Sequence, residues 1–329
     1  MWFPIVDETG NRIKYKEYLT MDSIPEVQGL IDTIQKVQHK AFVKWGVTYD
    51  LDMWENASFS QRKQDLAKEM LNENLDVFKT NQFPDEQFPT IIYHHGSGGI
   101  SFENSVLFEF LASHGFVIIS TDYHWPSSRL NSYTHKSDLS LEDVDFITKF
   151  SESLPFTNHQ NLIYLGHSWG GGVALRLNQK NNPQFKHYII FESTIEKPGL
   201  LEFKDLHPHL DSLFRYHPND FKTKSTVISA RARYFSKGMT YVVQPYPKFL
   251  PFQLLDNRAF TFITLKEILN HGSFTSVEVM RATLLGQFEQ RDSVTVKNQF
   301  DTYQSLVQLT KNLIDGAELD EEKILIKKD

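Results

Sequence analysis

The sequence predicts an α/β fold in which a mostly parallel central sheet is flanked by helices. Short apolar runs recur from Phe88 onward, each closed by glycine or small polar residues. Stretches with helical spacing alternate with these runs, the pattern of parallel strands joined by crossover helices. Composition agrees, because 40% hydrophobic and 23% charged residues are ordinary for a packed globular chain. A length of 329 residues accommodates one large domain spanning 1–329.

The elements follow in order. The opening Met1-Trp2-Phe3-Pro4 reads as the end of a strand, so an upstream strand or targeting segment is expected. From Ser23 to Asn81 the chain is polar with apolar positions at Val27, Leu30, Ile31, Ile34 and Val37, the spacing of amphipathic helices packed outside the main sheet. Phe83-Pro84-Asp85 reads as a turn, and the core is expected over about 88–290. Buried strands are expected at Thr90 to Tyr93, Phe116 to Thr121, Asn161 to Leu165, His187 to Phe191 and Ala259 to Leu265, with a weaker one at Ser225 to Ala230. Helices are expected at Ser105 to Ser113, Leu141 to Ser153 and Gly170 to Gln179. Residues Leu200 to Asn257 are rich in His, Pro and aromatics and read either as a lid or pocket wall or as an ordinary surface insertion.

Charge and composition exclude several classes. A formal charge of −7 with scattered Lys and Arg argues against nucleic acid as a partner. No apolar run approaches the ~20 residues that span a bilayer, and the start lacks the basic and apolar regions of a signal peptide. The chain therefore reads as soluble, cytoplasmic as written and secreted if a leader precedes it. Its oligomeric state is left open. The absence of cysteine removes disulfides, thiol nucleophiles and Cys-based metal sites.

The chemistry is carried by Leu162-Ile-Tyr-Leu-Gly-His-Ser-Trp-Gly-Gly-Gly. Gly166-x-Ser168-x-Gly170 stands between an apolar strand and a small-residue helix start, which is the context of a nucleophile elbow in the α/β-hydrolase fold. Small residues at Gly166 and Gly170 are required where the backbone crowds itself. A serine hydroxyl needs a base, and His271 is the best placed histidine, in a glycine-containing loop after the last expected strand. His207 and His209 read as lining the insertion instead. The acid is Glu192, at the end of the strand after the elbow, with Asp256 in reserve; a lone glutamate there is otherwise a surface carboxylate. Trp169 and Ser97 are the expected oxyanion-hole amides, Ser97 from the loop His94-His95-Gly96-Ser97-Gly98-Gly99. The His94-His95 pair lacks the partners of a metal site, so no metal is expected, and a serine triad needs no cofactor.

Ile91-Ile-Tyr-His-His-Gly-Ser-Gly-Gly, the segment Leu111-Ala-Ser-His-Gly-Phe-Val-Ile-Ile-Ser and Gly166-His-Ser-Trp-Gly-Gly together resemble the platelet-activating factor acetylhydrolase group, related to dienelactone hydrolases. The resemblance extends to Trp2-Phe3-Pro4 and to His271-Gly-Ser-Phe274, and it implies the triad Ser168, His271 and Glu192, with glutamate where the family usually has aspartate. It further implies hydrolysis of short-acyl esters such as acetylated phospholipids, without a metal. Aromatics around Trp125, Tyr241 and Phe249 read either as setting the alkyl-chain preference or as plain core. Competing readings are a polyester or lactone hydrolase, a catalytically silent binding protein, and an acyltransferase.

Overall fold

A computed structural model describes residues 1–5, 11–42, 61–80, 82–96, 99–123, 137–180, 184–192, 221–229, 232–237, 240–245, 259–265, 271–277, 279–280, 293–317 and 324–328. The strands are β1 (Asn11–Lys14), β2 (Asn74–Lys79), β3 (Phe88–His94), β4 (Val117–Ser120), β5 (Thr157–His167), β6 (Phe185–Phe191), β7 (Lys224–Ser229), β8 (Ala232–Lys237), β9 (Thr240–Pro245), β10 (Phe260–Leu265) and β11 (Ile324–Lys328). The helices are α1 (Gln28–Ala41), α2 (Gln61–Asn72), α3 (Ser105–Ser113), α4 (Ser137–Glu152), α5 (Trp169–Gln179) and α6 (Ser293–Asp315).

A seven-stranded sheet in the order β11-β10-β7-β6-β5-β3-β4 forms the centre. Every pairing within it is parallel except that of the edge strand β11, which runs antiparallel to β10. The α/β fold expected from the alternating runs is therefore present, and all six strands read from the sequence lie in this sheet. Two further strand pairs, β1 with β2 and β8 with β9, stand apart from it.

The buried strands alternate between two cores, as the period of two requires. Ile91, Tyr93, Ile163, Leu165, Ile189 and Phe191 face one layer with α3 and α6, whereas Ile92, Leu162, Tyr164, Tyr188 and Ile190 face another with α4 and α5. Because both faces are covered, the strands read as continuous apolar runs rather than as alternating ones.

Three elements differ from expectation. The segment 23–81, read as helical, contains α1 and α2 but ends in β2, which pairs with β1 across the intervening helices. The insertion 200–257, read as a lid, a pocket wall or an ordinary surface insertion, contains the antiparallel strand pair β8 and β9. Beyond 290, Tyr303, Leu306 and Leu313 of α6 enter the first core.

Helix α3 turns into β4 through a C-terminal cap. Gly115 at φ 87 lets its amide reach the Ala112 carbonyl and the Phe116 amide reach that of Leu111. On the outer side of α3, the Trp2 indole donates to the Tyr18 hydroxyl at 3.1 Å, and that hydroxyl donates to Glu109 at 2.7 Å. Burial raises the Glu109 carboxyl to about 7, against the opposing Tyr18 hydrogen bond and with help from Asp76. A raised folded value means that the folded chain keeps this proton while the unfolded chain loses it, so stability falls as pH rises from about 4.5 to about 7. Glu109→Gln is expected to flatten that fall and to be about 2 kcal/mol more stable than the parent at pH 8, read from denaturant midpoints at pH 5 and 8.

Candidate functional site

Strand β5 ends at His167 and α5 begins at Trp169, leaving Ser168 to make the whole turn. Its backbone adopts φ 54 and ψ −109, and among the described residues only Glu192 shares a positive φ without being glycine. A positive φ is costly for a side-chain-bearing residue and survives where the surroundings enforce it. Here the Ser168 amide donates to the Phe191 carbonyl at 2.9 Å, and the Ser168 carbonyl accepts from Gly172 at 3.2 Å, the first turn of α5.

The turn closes only because its flanks are bare. A Cβ on Gly166 would stand 2.5 Å from the Gly170 backbone, and one on Gly170 would collide with the His94 carbonyl. The sequence-predicted roles of Gly166 and Gly170 thus correspond to close backbone approaches. Trp169 opens α5, so its amide lies at the positive end of the helix, while its indole donates to Ser140 at 3.2 Å and ties the turn to α4.

The loop after β3 lies against the same turn. His94 pairs with Gly166 in register, and a Cβ on Gly96 would stand 3.1 Å from that of Ser168. His95 anchors the loop: its Nε2 accepts from the Tyr123 amide at 3.1 Å, so Nδ1 carries the proton donated to the Gly96 carbonyl at 2.7 Å. The Gly96 carbonyl also accepts from the Gly99 amide at 2.9 Å, and the Gly96 amide donates to Glu103 at 3.2 Å. The Gly96 amide is thereby engaged by Glu103. Ser97, the residue the sequence favours for the oxyanion, lies outside the described residues.

Glu192 follows β6 directly, at φ 44, and is fully buried. His167 pairs with Phe191, so the next residues on each strand, Ser168 and Glu192, stand level at the carboxyl edge of the sheet. The Glu192 amide donates to the Ile228 carbonyl at 2.9 Å. His271 opens the short helix His271–Phe274 after β10, and the Phe274 ring lies 6.0 Å from that of Phe191. The turn that begins at His271 therefore packs over the end of β6. Asp256, His207, His209, Trp125 and Phe249 lie outside the described residues, and Tyr241 belongs to β9. Among the described residues, no group of three or more His, Asp or Glu side chains is arranged to hold a metal ion, and no helix is long and apolar enough to cross a membrane.

Sequence reasoning missed a buried polar cluster directly beneath the turn. Glu103 Oε1 accepts from the Tyr93 hydroxyl at 2.8 Å and lies 3.1 Å from His167 Nδ1, besides the Gly96 amide. Burial pushes this carboxyl up, but the hydrogen bond and charge of His167 outweigh it and hold the group below the usual carboxylate range. Asn104 stands at the N-cap of α3, yet its side chain makes no cap. It donates instead to the Tyr93 hydroxyl and the Phe274 carbonyl and accepts from the Ser276 amide and the Tyr303 hydroxyl. A polar pair before a helix ordinarily reads as a solvated cap, and only the long-range partners reveal otherwise.

No family model matches the chain. It is 35% identical over 109 residues to a probable 1-acylglycerol-3-phosphate O-acyltransferase of Oryza sativa subsp. japonica, covering 32% of this chain and 25% of the rice protein. It is 35% identical over 111 residues to a 1-acylglycerol-3-phosphate O-acyltransferase of Arabidopsis thaliana, covering 33% of this chain and 26% of that protein. The chain thus spans about a quarter of the length of the curated relatives it matches.

These relatives overturn the expected membership of the platelet-activating factor acetylhydrolase and dienelactone hydrolase group, and with it the short-acyl ester hydrolase reading. The error has a physical origin. An activated serine forms the same acyl-enzyme whether water or an alcohol later removes the acyl group, so an elbow motif cannot tell hydrolysis from transfer.

Proposed function

We propose that this chain is an acyltransferase acting on lipids, moving an acyl group onto the free hydroxyl of an acceptor of the 1-acylglycerol-3-phosphate class through Ser168. The observation that carries the proposal is the strained turn at Ser168, held between the Gly96 loop and the N-terminus of α5. The partial relatives supply the acyl-transfer chemistry and the lipid acceptor.

In this reading Ser168 Oγ attacks the carbonyl of an acyl donor, such as an acyl thioester, while His271 takes its proton and Glu192 steadies the resulting imidazolium. The Trp169 amide and a second amide from the loop after Gly96 receive the developing oxyanion. The thiol leaves with the proton from His271. The acceptor hydroxyl then gives its proton to His271, attacks the acyl-enzyme, and Ser168 regains a proton as the new ester departs. Transfer wins over hydrolysis when the acceptor occupies the site and displaces water.

The test is product analysis. The purified chain is incubated with a radiolabelled acyl thioester and 1-oleoylglycerol-3-phosphate, and lipids are separated. Label in the diacyl product, rising with acceptor concentration, is the expected result. Label found only as free fatty acid at saturating acceptor would remove the transferase reading.

A further inference from the structure

We propose that Glu103, with its neighbour Asn104, is the positioning pair of this site, holding the Gly96 loop, the nucleophile strand and the segment after His271 in one register. The proposal rests on the Ser168 reading above and adds to it residues far from the elbow in sequence.

Three donors converge on one oxygen of Glu103. The Tyr93 hydroxyl comes from β3, the Gly96 amide from the loop, and the His167 ring from the residue before the nucleophile. A carboxylate strengthens each of these bonds beyond what a neutral acceptor gives. The second oxygen occupies the space beside Gly99 that any Cβ there would need, so Gly99, whose amide donates to the Gly96 carbonyl at 2.9 Å, closes against the carboxylate. The backbone carbonyl of Glu103 accepts in addition from the Val277 amide at 3.1 Å and the Ser276 hydroxyl at 3.0 Å.

Asn104 completes the bracket. Its amide group makes four hydrogen bonds, which exhausts the two donors and two acceptor positions of the side chain. Through Phe274 and Ser276 it grips the segment just past His271, and through Tyr303 it ties that segment to α6. One dipeptide thereby connects the loop beside Ser168, the residue preceding it, and the turn that carries the proposed base. Small displacements among such groups are enough to slow an attack that depends on near-contact geometry.

The experiment uses a fluorophosphonate, whose fluoride is displaced from phosphorus by an activated serine without any acyl acceptor. In the 329-residue chain, Glu103→Gln keeps the shape and an acceptor oxygen but removes the charge. Its phosphonylation at saturating probe is expected to slow by about 10 to 100-fold, with the half-saturating probe concentration and the folded circular dichroism spectrum retained. Should that variant fail to fold, Tyr93→Phe takes its place and is expected to slow the step by about threefold or more. A folded variant that reacts within twofold of the parent overturns the positioning role. So does a loss that follows the unfolded fraction and disappears on cooling, which marks a purely structural residue. A parent that does not react with the probe at all overturns the Ser168 reading together with this one, whereas a reactive parent with an unaffected variant removes this one alone.

Discussion

Ser168→Ala is expected to lower acyl transfer by about 10⁴-fold or more, measured as the initial rate of diacyl product formation under saturating donor and acceptor. The size follows from what the residue does in the proposed cycle. Removing the hydroxyl eliminates the covalent route, leaving only whatever the oxyanion amides and substrate positioning contribute. His271→Ala should cost a similar factor, and the double variant little more than either single one, because a nucleophile and its base act as a unit. Glu192→Gln should cost less, about 10² to 10⁴-fold, since it removes orientation and charge rather than the reacting groups. Substantial transfer by Ser168→Ala would instead show direct attack of the acceptor on the donor with no acyl-enzyme. Mass spectrometry of the chain after incubation with donor alone gives an independent reading, with one acyl group on the Ser168 peptide expected.

The second large effect concerns folding. Gly170→Ala is expected to lower stability by more than about 3 kcal/mol or to leave no soluble protein, because the new Cβ meets the His94 carbonyl of β3 rather than a yielding side chain. Gly166→Ala faces the same obstacle against the Gly170 and Gly171 backbone. Gly29 supplies the control. It sits in α1 with nothing within 4 Å of the position a Cβ would take, so Gly29→Ala should stabilise the chain by about 0.5 to 1 kcal/mol through helix propensity. Urea midpoints of the three variants decide the matter. Equal stability of Gly29→Ala and Gly170→Ala would show that the turn at Ser168 relaxes more freely than its close contacts indicate.

The sequence by itself determined the α/β class, the strands of the parallel sheet and the Ser168 turn, because each leaves a local mark. Ile91, Ile163 and Ile189 lie in apolar runs whose length and termini identify buried strands, and Gly166 and Gly170 are local demands of a crowded turn. Strand order also sufficed to set Glu192 beside Ser168. The tertiary structure alone decided the rest. Strand β11, a brief run ending in two lysines, becomes part of the sheet only because β10 offers it an edge. Glu103 and Asn104 look like an ordinary helix cap until Tyr93, His167, Ser276 and Tyr303 arrive from distant parts of the chain. Local spacing records backbone period and steric need, whereas the partners of a buried polar group are chosen by contacts that form only when the chain has closed on itself.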